Sequence, residues 1–153
     1  MSAPVQFKDN IPFDIETCRD LPADTLLLDS FERVVGTPDE QDYSELVLYL
    51  NSSDTARLVR YAGNSKGSRI IGERLVPLSA VQAVLDVIRQ YQMDRWPGRD
   101  DLTGICGKLY VLRFPDGRGG YLRVTSEAMP PDGTDAFHAV RRAIMNLPAK
   151  PAE

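Results

Sequence analysis

KLYVLRFPDGRGGYLRVTS, residues Lys108–Ser126, reads as two strands joined by a turn. The segment Pro115–Gly119 holds Pro, Asp, Arg and two glycines, residue types that suit a tight change of direction. With Phe114 opposite Gly120, Leu112 faces Leu122 and Tyr110 faces Val124. That register gathers Tyr110, Leu112, Phe114, Leu122 and Val124 on one apolar face. Leu109, Val111, Arg113, Tyr121, Arg123 and Thr125 fall on the other. A two-residue turn at Asp116-Gly117 is the stronger local hairpin signal. It scatters the apolar set over both faces, however, and a strand slipped by one residue turns every side chain over. The five-residue loop is therefore preferred.

Working outward, the chain after the hairpin turns through Ala128–Gly133. Thr134 then starts a helix to Leu147 with Phe137, Val140, Ile144 and Leu147 on its buried stripe. Before the hairpin, Ser79–Met93 is the clearest helix. Val81, Val84, Leu85, Ile88 and Tyr91 recur at helical spacing, and Ser79 with Gln82 matches a capping box. Pro97 and Gly98 end the element, and Trp96 reads as an anchor for that end. Further upstream, Glu45–Leu50 and Ala56–Ala62 are β-rich runs joined by a polar turn. Arg69–Val76 continues the meander after the turn cluster Gly63–Ser68. Thr37–Tyr43 reads as an acidic loop.

Thr25–Gly36 fits helix and strand alike, since Leu27, Phe31 and Val35 share a face in either form. Residues 1–24 read as an extended arm with apolar anchors at Val5, Phe7, Ile11, Phe13 and Ile15. Residues 25–147 form one domain, and 148–153 a frayed tail. The expected core is Leu46, Leu48, Leu58, Val81, Leu85, Ile88, Trp96, Tyr110, Leu112, Phe114, Leu122, Val124, Phe137, Val140 and Ile144.

With 153 residues, 42% hydrophobic and 26% charged, the chain suits one globular domain of ordinary size. A net charge of −4 disfavours broad affinity for nucleic acid or anionic membranes. The charge is uneven: residues 1–54 carry 3 basic and 12 acidic side chains, residues 55–153 carry 15 and 10. Either the halves compensate on packing, or the second presents a basic surface to an acidic partner. Cys18 and Cys106 are too far apart for a disulfide framework or a zinc spacing. No signal peptide or apolar run of membrane length is visible, so the cytoplasm is the expected location.

The element order resembles that of a family of uncharacterised small bacterial α+β proteins of the Firmicutes type. The matching features are an LxSF-type strand at Leu28-Asp29-Ser30-Phe31 and a strand pair before a long helix ending in Tyr91, Trp96, Pro97 and Gly98. A glycine-led strand at Gly107 follows, then the Asp116-Gly117 hairpin and Ser126, Met129 and Pro130 before the last helix. The resemblance spans about residues 26–147, implies that Thr25–Gly36 is a strand and brings no activity with it. The Arg-rich strands and the long arm depart from that pattern. The expected fold is thus α+β: an antiparallel sheet in β-β-β-β-α-β-β-α order with two helices packed on one face.

Chemistry sought in the sequence is not found as a motif. The single histidine, His138, has no nucleophile or acid beside it. Asp100-Asp101 has no converging ligands for a metal. No phosphate loop, Rossmann glycine pattern or zinc-protease motif is present. No catalytic residue, metal ligand or cofactor is therefore assigned. The expectation is a non-catalytic binding or interaction module that uses a sheet face to hold a protein partner or a second copy of itself. Arg113, Tyr121 and Arg123 are its candidate contacts. The alternative is a small enzyme in which Arg60, Arg69 or Arg123 holds an anionic substrate and an Asp serves as acid or base. Nucleic-acid binding through Arg57, Arg60, Arg113, Arg118 and Arg123 is disfavoured by the net charge. The second hairpin face is half apolar and needs a cover or a partner. The arm offers one, with Asp9, Asp14 and Glu16 to meet Arg113 and Arg123.

Overall fold

A computed structural model describes residues 15–37, 40–64, 66–93, 107–115, 120–125 and 133–149. Trp96, Asp100, Asp101 and Cys106 lie outside the described residues, as do most of the expected arm and the tip of the hairpin. Six strands and two helices follow in chain order: β1 Leu26–Thr37, β2 Glu40–Leu50, β3 Thr55–Asn64, β4 Gly67–Pro77, α1 Leu78–Gln90, β5 Gly107–Pro115, β6 Tyr121–Thr125 and α2 Gly133–Met145. The strands form one sheet in the order β4-β3-β2-β1-β5-β6. Every pairing is antiparallel. The α+β architecture expected from the pattern is present, and the segment that suits both helix and strand is the central strand β1.

Alternation explains how the sheet is oriented. Leu28 of β1, Leu46, Leu48 and Leu50 of β2, Leu58 of β3, and Tyr110, Leu112 and Phe114 of β5 join one core cluster. Val81, Val84, Leu85 and Ile88 of α1 and Phe137, Val140 and Ile144 of α2 close it from above. Helix α2 crosses the strands. Its His138 meets Tyr110 of β5, its Arg141 meets Ser30 of β1 and Ser44 of β2, and its Met145 carbonyl accepts from Arg74 of β4. Both helices therefore cover one face. Of the expected core, Leu122 is only partly buried against the cluster.

Several local expectations are corrected. Leu112 pairs with Val124 and Phe114 with Leu122, so the hairpin register is two residues from the expected one. A two-residue slip preserves parity, and the two faces hold the side chains expected of them. Glu40–Tyr43 is strand and not loop: pairing with β1 continues to Thr37 opposite Glu40, and the ladder outweighs the acidic composition. Helix α1 begins at Leu78, one residue before Ser79. Its N-cap is Pro77, with no side-chain cap. Gln82 bonds instead to the Ile15 amide at 2.9 Å and to Asp86 at 3.0 Å. Ile15–Cys18 forms a single 3-10 turn, with Ile15 and Cys18 in the helix-side core. The arm's end is thus docked beneath α1 rather than extended.

Candidate functional site

The face away from the helices carries the odd-numbered residues of β1 from Asp29 to Arg33 and those of β2, β3, β5 and β6 that pair beside them; Leu27, at the register shift in β1, lies in the helix-side core. Four of its apolar residues, Val47, Val59, Leu109 and Val111, are buried yet stand outside the main core cluster. Rings spread over this face: Phe31 and Tyr43 lie 5.7 Å apart by centroid, and the Arg57 guanidinium sits 5.1 Å above the Tyr49 ring. Among them is a depression of about 440 Å³ lined by Asp29, Phe31, Glu45, Val111, Arg113 and Arg123.

Strand register assembles this site. Phe31 of β1 is flanked by Glu45 of β2 and Val111 of β5. Asp29 stands opposite Arg113, and Arg113 opposite Arg123 of β6. Four strands thus place two carboxylates, two guanidinium groups and an apolar floor side by side. Asp29 is only 5% exposed, and one of its oxygens, Oδ2, accepts from Arg113 Nη2 at 2.6 Å and Nε at 3.1 Å. The pair is charge-assisted, which offsets the cost of burying the carboxylate. Among the described residues Asp29 Oδ1 meets no donor, and the buried Nε of Arg123 no acceptor.

Glu45 is the second acid. Burial, then the neighbouring Asp29 charge and a hydrogen bond with Asp29, push its carboxyl up to about 7, against a weaker pull from Arg113 and Arg141. The protonated Glu45 carboxyl is the donor suited to Asp29 Oδ1. Tyr49, four residues on, is pushed up to about 12 by burial and by its hydrogen bond with Tyr61.

Arg113, Tyr121 and Arg123, the residues singled out in the sequence, are all on this hairpin face, and two of them line the depression. Tyr121 stands apart at the sheet edge, opposite Pro115, 45% exposed, and donates its hydroxyl to the Leu26 carbonyl at 2.8 Å. One of the expected partners of the arginines, Glu16, is corrected. Arg113 is met by Asp29, while Glu16 pairs with Arg19 at 2.7 Å. Asp9 and Asp14 lie outside the described residues. Asp29 and Glu45 were missed because their partner Arg113 is 84 residues from Asp29 in the chain. The available signal was an acid at the same strand parity as Phe31 and Val47.

Arg60 and Arg69 do not converge on Arg123. Arg60 shares the helix-side parity of Leu58, and Arg69 borders a separate depression of about 630 Å³ at the β3–β4 turn, beside Tyr43, Gly63 and Lys66. On the helix side, Arg141 donates to the Ser30 carbonyl at 2.9 Å and to Ser44 Oγ at 2.8 Å. Its groups are satisfied by the sheet, and it reads as a structural tie. His138 is exposed, and its Nε2 shares a 2.8 Å hydrogen bond with the Tyr110 hydroxyl. Among the described residues no group of three or more His, Cys, Asp or Glu side chains could hold a metal ion, and no helix is long and apolar enough to cross a membrane. Comparison with known proteins gives no match, neither to a family model nor to a curated relative.

Proposed function

We propose that the protein is a non-catalytic binding module of the cytoplasm that holds a protein partner on the open face of its sheet. The observation that carries this reading is the depression on that face. An apolar floor of Phe31 and Val111 adjoins guanidinium groups that the fold itself satisfies only in part. Antiparallel sheets with one covered face normally turn polar residues outward on the other. Here that other face mixes aromatic, aliphatic and arginine side chains, the types that concentrate binding energy in interfaces.

Capture from the source cell, comparing the wild type with Arg123→Glu and Tyr121→Ala variants of unchanged circular dichroism, tests the reading. A specific protein retained by the wild type and lost by the variants supports it. Retention unaffected by either change, and abolished by substitutions on α1, counts against it.

A second reading has one observation in its favour. Glu45, with a carboxyl that titrates near neutrality beside two arginines, has the makings of a general acid or base acting on an anionic substrate. Turnover of a carboxylate or phosphate ester that is abolished by Glu45→Gln would favour that reading over the binding module.

A further inference from the structure

We propose that the partner segment held by the open face is acidic, with a carboxylate side chain seated on Arg123 and Arg113 and an adjoining apolar side chain on Phe31 and Val111. This rests on the open face being the binding surface, and it names the chemistry that the surface takes.

The charges of the face are unbalanced in one direction. Arg57 is paired, with Glu73 at 2.9 Å and Asp24 at 3.5 Å. Arg113 has Asp29. Arg33 and Arg123 have no acid: among the described residues neither makes an ion pair or side-chain hydrogen bond, and the Nε of each is buried without an acceptor. A guanidinium desolvated on one edge and unpaired is a costly group, and an incoming carboxylate offsets that cost by a charge-assisted bond. Arg113 and Arg123 also stand directly opposite each other, a like-charged cross-strand pair that repels until an anion bridges it. Arg113 gives Nε and Nη2 to Asp29 and is still 46% exposed, so Nη1 remains for a second partner.

The rest of the depression selects the kind of anion. Asp29 lines the same space, and its charge repels a backbone of repeated phosphates. A carboxylate and an apolar side chain in one short stretch are what an acidic protein segment offers.

The test uses isotope-labelled full-length protein and a terminally blocked peptide of alternating glutamate and leucine, followed through the arginine Nε–Hε signals and the Val111 amide. The expected result is a saturable shift of the Arg113, Arg123 and Val111 signals. Replacing each glutamate of the peptide by glutamine should weaken binding by about tenfold or more, the loss expected for a charge-assisted contact. Arg123→Gln, a milder change than charge reversal, should weaken it likewise while leaving the backbone spectrum in place. Equal binding of the glutamine peptide at the same residues overturns the acidic class and leaves the open face as a binding surface. Displacement of the peptide by an oligothymidylate overturns the proposal in favour of nucleic acid. Absence of binding overturns the proposal, and shifts confined to the helices overturn both it and the open-face reading.

Discussion

Glu45 is the residue at which the account meets solution chemistry most simply. Its carboxyl rises from 4.5 to about 7 on folding, so the native state holds a proton that the unfolded chain releases earlier. A carboxyl raised in this way contributes stability that is fully present below 4.5 and is lost as pH rises through about 7. Glu45→Gln keeps a donor for Asp29 Oδ1 and removes the titration. The variant is expected to match the wild type near pH 4 and to exceed it above pH 8 by about 1–2 kcal/mol, a figure discounted for the part of Glu45 that solvent reaches. Urea unfolding at the two pH values checks this, and parallel pH profiles for the two proteins would remove the Asp29–Glu45 contact from the account. Neither acid is conspicuous in the chain. Asp29 sits in the run Leu26-Leu27-Leu28-Asp29-Ser30-Phe31, where a lone acid gives no hint of its partner. Arg113 and Arg123 could be singled out because they flank a recognisable turn and share a face by alternation alone.

Among the elements, the hairpin shows what periodicity conveys and what it leaves open. The alternation of Tyr110, Leu112 and Phe114 determines which side chains point to the core, since a one-residue slip would expose them all. It does not distinguish registers two residues apart, because these bury the same set. The acidic Glu40–Tyr43 failed to read as strand for a different reason: its pairing with β1 is a tertiary effect that composition does not carry. Strand β4 is an edge with Ile70, Ile71 and Leu75 exposed, and the register shift opposite Arg60 and Tyr61 leaves Ile71 unpaired as a bulge. Bulges of this kind, with Arg69, Glu73 and Arg74 alongside, discourage strand-to-strand association at an edge. In the neighbouring pair β2–β3, a Cβ at Gly63 would collide with the ring of Tyr43, its cross-strand partner, and with the Gly67 carbonyl oxygen. Gly63→Ala is expected to cost about 1–3 kcal/mol, the usual range for overpacking, because Tyr43 would have to leave Phe31 as well. Denaturant melts of Gly63→Ala and of Gly63→Ala in a Tyr43→Ala background check it. The cost should shrink in the second background.

For the molecule as a whole, the charge split along the chain is compensated in part by internal pairs. Acids of the first half meet arginines of the second in the pairs Asp29–Arg113, Glu32–Arg141 and Asp24–Arg57. The strand order makes this possible by inserting β5 and β6 beside β1. The two helices complete one core, and Leu112 at its centre is fully buried. Leu112→Ala should therefore cost about 2–5 kcal/mol in thermal or chemical unfolding, and a loss under about 1 kcal/mol would put that side chain outside the core. What the helices leave uncovered is the face on which Arg113 and Arg123 lie, and the central claim is that this face holds a protein partner. Photo-crosslinking in the source cell tests it most directly, with a benzophenone side chain placed at Tyr121 on the open face or at Ala83 on the exposed side of α1. A discrete adduct with another protein is expected from position 121 and none from position 83. Adducts from position 83 alone would contradict the claim.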